Sequence, residues 1–134
     1  MGVKILDIRN IVIGKNSNIN FGCILDGRGA SVTIMECVDI APQVNIWTMQ
    51  HKVGSAFHES ESFSVRIESG AWLANRVVIL PGSRIGAEAV VGAGVSFKGI
   101  LDQGRVVVNS SCVTLNRLRK LDSDFVLGSI RRFR

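Results

Sequence analysis

Aliphatic residues recur along this chain at intervals of six. Ile13, Ile19 and Leu25 form one run, Ile34, Ile40 and Ile46 a second, and Ile67, Leu73, Ile79, Ile85, Val91 and Phe97 a third. Four places after most of these marks stands a small or β-branched residue: Ser17, Cys23, Val38, Val44, Ala71, Val77, Ser83, Ala89 or Val95. An interval of six fits neither the 3.6-residue period of an amphipathic helix nor the two-residue period of an alternating strand. It fits a chain that turns a corner every six residues and points one aliphatic side chain inward from each flat side. Three sides close a triangular coil. Coils stacked about 4.8 Å apart then cover apolar faces that no coil can bury alone. The place just after the mark (Gly14, Asn20, Ala41, Ala74, Gly86, Gly92) is expected to form the tight corner. Pro42 and Pro81, two places after a mark, would break a helix but suit such a corner. The pattern predicts an all-β parallel solenoid. The interval alone does not set its hand.

Two segments depart from the rhythm. Residues 26–33 hold three residues more than the interval allows, as a bulged corner would. Residues 51–62, His-Lys-Val-Gly-Ser-Ala-Phe-His-Glu-Ser-Glu-Ser, leave the pattern and read as a loop thrown out of the coil, and excursions of this kind often carry function. The expected organisation is one domain over 1–134: a β-helix over 5–114 with the loop at about 51–62, then a basic cap or tail over 115–134.

Composition narrows the class. The chain has 134 residues, 46% of them hydrophobic and 20% charged, enough to bury a core. No apolar run approaches the length of a membrane span, the start lacks a secretory apolar region, and the myristoylation pattern fails at position 6. Cys23, Cys37 and Cys112 are odd in number and widely spaced, so small thiols in a reducing cytoplasm are expected rather than disulfides. The net charge of +5 does not line a helix or interleave with aromatics, which argues against nucleic acid. Its one cluster, Arg117, Arg119, Lys120, Arg131, Arg132 and Arg134, reads either as a solvated tail or as an attractor for a polyanion such as a nucleotide-bearing cofactor, an acidic glycan or a membrane surface.

Four stretches carry a resemblance: Leu25-Asp-Gly-Arg-Gly29, Ile40-Ala-Pro-Gln-Val-Asn-Ile-Trp-Thr-Met-Gln-His51, Ala71-Trp-Leu-Ala-Asn-Arg-Val-Val-Ile-Leu-Pro-Gly82 and Ile85-Gly-Ala-Glu-Ala-Val-Val-Gly-Ala-Gly94. Over about two-thirds of its length the chain resembles the hexapeptide-repeat acetyltransferases, in particular the galactoside and maltose O-acetyltransferase type. The resemblance implies a left-handed parallel β-helix and a homotrimer with active sites between adjacent subunits. It implies acetyl-CoA as co-substrate, no metal, and a sugar or glycan hydroxyl as acceptor. His51 falls at the family's catalytic base, and Trp72, Ala74, Asn75 and Ala93 fall along the acetyl-CoA arm. An ungapped register pairs Lys98 with the family's cofactor lysine. A gapped one would use Arg119-Lys120, and the ungapped register is preferred because it needs no insertion. Asn20 and Asp26 are alternative candidates for the acceptor contact. Lys52 departs from the usual Asp or Pro after the histidine, and the family's closing motif is poorly kept.

A free histidine titrates near pH 6.5, so its imidazole is matched to taking a proton from a hydroxyl and passing it to a departing thiolate. Direct transfer needs no acyl-enzyme and leaves the cysteines without a role. His58, inside the excursion, reads as exposed and inessential, and Trp47 as a packing residue, a reading equally open to Trp72 beside its place near the cofactor arm. Two rivals share the fold: a non-catalytic binding scaffold, and a γ-type carbonic anhydrase, whose zinc needs more ligands than His51 and His58 readily supply.

Overall fold

The computed structural model describes residues 2–108 and the strand Val113–Leu118. Cys112 and the basic residues at 119–134 lie outside the described residues. The chain winds into a left-handed parallel β-helix of triangular section, with no α-helix among the described residues and one 3-10 turn at Ile8–Asn10. The first face stacks Lys4–Leu6, Ile24–Asp26, Asn45–Ile46, Val78–Ile79 and Ser96–Phe97. The second stacks Ile11–Ile13, Val32–Ile34, Val65–Ile67, Arg84–Ile85 and Ile100–Leu101. The third stacks Asn18–Ile19, Asp39–Ile40, Trp72–Leu73, Val90–Val91 and Arg105–Val108. On that last strand Val113–Leu118 folds back antiparallel, ending the parallel stack.

The six-residue interval sets the core directly. In register, Leu25 lies over Ile46, Ile46 over Ile79 and Ile79 over Phe97 on one face, while Ile40, Leu73 and Val91 align on another. From Leu25 to Phe97 every marked aliphatic is buried, as are the small residues four places on from Cys23 to Val95. Ile13 is 42% exposed because its coil begins the stack and has a neighbour on one side only.

The corners differ from the sequence expectation in one respect. At nine of the twelve marks the turn is made three places on, not one: Asn16, Gly22, Cys37, Gln43, Gly70, Arg76, Gly82, Glu88 and Gly94 all have φ between 57 and 83°. Five of these are not glycine, so the left-handed backbone is held by the coils above and below despite its steric cost. Glycine just after the mark answers a different need. A Cβ on Gly86 would lie 2.5 Å from Gln103 N, so it is close approach of the next coil that excludes a side chain there. Outside the second face, Arg66 Nε and Arg84 Nη2 reach one oxygen of Glu68 at 2.8 and 2.9 Å. The hydrogen bond from Arg66 above all holds the Glu68 carboxyl below its usual range.

Candidate active site

The excursion is not an irregular loop. It starts at Met49 and forms a β-hairpin, Met49–His51 pairing antiparallel with Ser60–Ser62, at the edge where the first face turns into the second. Alternation explains its root. Ile46 and Thr48, two residues apart, both point inward. Thr48 is fully buried, donating from Oγ1 to Asp26 O at 2.8 Å and accepting from Ala30 N at 3.3 Å. A side chain on Gly29 would overlap Met49 and Ser62, so the bulged corner lets the hairpin base lie against bare backbone. Across the strands Gln50 Nε2 donates to Glu61 Oε1 at 2.6 Å, and Lys98 Nζ donates to Gln50 Oε1 at 3.0 Å.

His51 ends the first hairpin strand with an exposed ring. Its Nδ1 lies 2.6 Å from His58 O. A carbonyl oxygen only accepts, so this contact is a hydrogen bond only when Nδ1 carries the hydrogen, the arrangement that leaves a lone pair on Nε2 in a neutral imidazole. The His58 ring meets it edge-on, centroids 5.8 Å apart at 71°.

The candidate residues fall at two edges of the prism. His51, Asp26 and Lys98 share the edge between the first and second faces. Asn20, Ala74, Asn75 and Ala93 share the edge between the third and first, where Asn75, Arg76, Ala93, Gly94, Phe21 and Gln43 line an open groove of about 520 Å³. Trp72 stands beside that groove edge on the outer side of the third face, 44% exposed, whereas Ala74 is buried. The first face lies between the two groups. Asp26 is fully buried, and its carboxylate takes the Arg28 backbone N–H and both arms of the Arg28 fork at 2.8 and 3.2 Å. Asn20 donates from Nδ2 to Ile40 O at 2.9 Å.

Thr48, Gln50, Glu61 and the His58 backbone are parts of the site that sequence reasoning did not assign. Only Thr48 left a signal, its two-residue spacing from Ile46. Among the described residues no group of three His, Cys, Asp or Glu side chains could hold a metal ion, and no helix is long and apolar enough to cross a membrane.

Stacked triangular coils with one histidine-bearing hairpin at an edge define a hexapeptide-repeat protein. No family model matches the chain. It is 32% identical over 120 residues to the galactoside O-acetyltransferase of Escherichia coli K12, an alignment covering 87% of this chain and 58% of that protein. A hexapeptide-repeat acetyltransferase of Vibrio cholerae complexed with acetyl coenzyme A superposes with a TM-score of 0.80 at 27% identity, over 88% of this chain and 66% of that one. A maltose O-acetyltransferase of Clostridium difficile 630 gives a TM-score of 0.82 at 26% identity, over 90% and 65%. The chain thus spans less than two-thirds of the length of these relatives. In sequence and in fold the chain is thus similar to hexapeptide-repeat acetyltransferases, including sugar O-acetyltransferases.

Proposed function

We propose that the protein is an acetyl-CoA-dependent O-acetyltransferase acting on a hydroxyl of a sugar or glycan, with His51 as general base. The observation that carries this reading is the exposed His51 ring, whose Nδ1 lies 2.6 Å from the His58 carbonyl oxygen, a contact that leaves Nε2 as the proton acceptor when Nδ1 holds the hydrogen. His51 Nε2 takes the acceptor's hydroxyl proton, and the oxygen attacks the thioester carbonyl carbon. As the tetrahedral intermediate collapses the carbon–sulfur bond breaks, and the imidazolium returns the proton to the thiolate of CoA. A backbone N–H of a neighbouring coil would meet the oxyanion. No acyl-enzyme is needed. Cys23 is fully buried, donates from Sγ to Ala41 O at 3.2 Å, and has its thiol pushed up by burial, all of which speak against a nucleophilic role.

The reading requires more than one copy, because the first face separates His51 from the groove within a chain. In a homotrimer the hairpin of one subunit would meet the groove of the next. Asn75, Ala93 and Trp72 would border the pantetheine arm, with Ala74 supplying the close-packed wall beneath. Lys98 would approach the cofactor from the hairpin side. Asp26 would lie beside the acceptor from His51's own subunit, and Asn20 from the neighbour. We place the reaction in the cytoplasm, where Cys23 and Cys37 stay reduced.

Thiol release from acetyl-CoA over a panel of sugars tests the activity. His51→Ala is expected to lower it by roughly 10²–10⁴-fold, and unchanged turnover would remove His51 from the mechanism. The scaffold reading draws on Lys98, whose ammonium is bonded to Gln50. Calorimetric titration showing no CoA binding at millimolar concentration would favour the scaffold. Stoichiometric zinc in the purified protein would favour the carbonic anhydrase alternative.

A further inference from the structure

We infer that His58 is a positioning residue that acts through its backbone carbonyl, setting His51 in the tautomer whose Nε2 is free; the inference rests on the proposed role of His51 as base. A neutral imidazole carries one N–H. In the tautomer with that hydrogen on Nε2, the ring would offer the acceptor a donor where a proton acceptor is needed. His58 O at 2.6 Å from Nδ1 decides between the two, since two acceptors at that distance would repel. When the ring becomes imidazolium the same contact turns charge-assisted and strengthens, so the ring keeps its orientation through the proton transfer.

The end of the hairpin is built to present this carbonyl. Lys52 N donates to Glu59 O at 2.8 Å and closes the ladder. Beyond it the chain folds around Ser55. Its hydroxyl oxygen accepts from Phe57 N at 3.3 Å and Glu59 N at 3.2 Å, while its carbonyl accepts from His58 N at 3.3 Å. His58 itself has φ of 54°, a left-handed backbone that bends the chain back toward the His51 ring instead of extending the ladder. The His58 ring touches His51 only edge-on. The backbone therefore carries the function. The side chain at 58 is free to change so long as it tolerates positive φ, as asparagine and glycine do and β-branched residues do not.

Long-range ¹⁵N–¹H correlation of the histidine rings in the full chain, at a pH where both imidazoles are neutral, reads the tautomer without reference to activity. His51 is expected to show the hydrogen on Nδ1, and an Nε2–H signature in the unmodified protein would overturn the inference. His58→Asn and His58→Gly are expected to keep that signature and the turnover. His58→Val is expected to move His51 toward the Nε2–H form and to lower kcat by about 10–10³-fold with a smaller change in KM. Loss of turnover in both His58→Asn and His58→Gly with the Nδ1–H signature intact would assign the role to the ring and overturn the backbone reading. A His51 with Nδ1–H in a protein that transfers acetyl to no acceptor would instead sink the enzymatic reading and support this one, the two being thereby distinguished.

Discussion

Replacing Ile79 and Ile13 separately with alanine removes the same three carbons from two places in the stack. Ile79 is fully buried, with Ile46 on the coil before it and Phe97 on the coil after. Three carbons at about 0.8 kcal/mol each give roughly 2.4 kcal/mol of lost transfer energy. A cavity term adds to this, because the surrounding coils are pinned to one another by bonds such as Trp47 N to Ile79 O at 3.0 Å and Leu80 N to Phe97 O at 2.9 Å. Collapse into the void is thereby limited, and Ile79→Ala should cost about 3–4 kcal/mol. Ile13 is 42% exposed, at the open end of the stack. Scaling the transfer energy by its buried fraction leaves roughly 1.4 kcal/mol, with no enclosed cavity to add. Urea unfolding at one fixed protein concentration, followed by far-ultraviolet circular dichroism, measures both, the concentration being held because assembly would shift the midpoint. Equal costs at the two positions, or less than about 1 kcal/mol at Ile79, would refute the argument that stability comes from coils covering one another.

Four further changes test the site and its setting. Gly29→Val drives a side chain into Met49 and Ser62 at the hairpin base. The overpacking, about 1–3 kcal/mol, should appear as lost acetyl transfer more than as a lower Tm, because the hairpin stands outside the core. Filling the groove with Ala93→Trp should raise KM for acetyl-CoA while leaving unfolding unchanged, as steady-state kinetics beside a urea titration would reveal. Lys98→Ala distinguishes two roles: lower kcat at constant KM marks a hairpin brace through Gln50, and higher KM for acetyl-CoA marks a cofactor contact. Glu68→Gln should destabilise by roughly 0.5–1 kcal/mol near neutral pH. Because the Glu68 carboxyl is held below its ordinary value, that contribution is complete above the ordinary glutamate range and fades as pH falls through the depressed one. Unfolding midpoints of the two proteins should therefore converge in acid.

The repeat was legible because each inward residue is chosen by a constraint that recurs with every turn. Ile40, Leu73 and Val91 each meet the same neighbours one coil away, so a six-residue interval in the chain becomes a column in space. From that interval followed the solenoid, the core and the places where the rhythm breaks, and the resemblance of the Trp-Thr-Met-Gln-His run drew attention to His51. What the tertiary structure alone decided lies where contacts join residues with no fixed spacing. It turned the excursion into a hairpin. It moved the left-handed corner to the third place after the mark, where non-glycine residues such as Arg76 and Glu88 accept it because stacked coils hold them there. It also divided the candidate residues between two edges and put the His58 carbonyl, which has no side-chain identity to read, against His51. A periodic pattern records interactions that every coil repeats. A backbone oxygen aimed by a single turn is made once, and only the folded chain shows where it points.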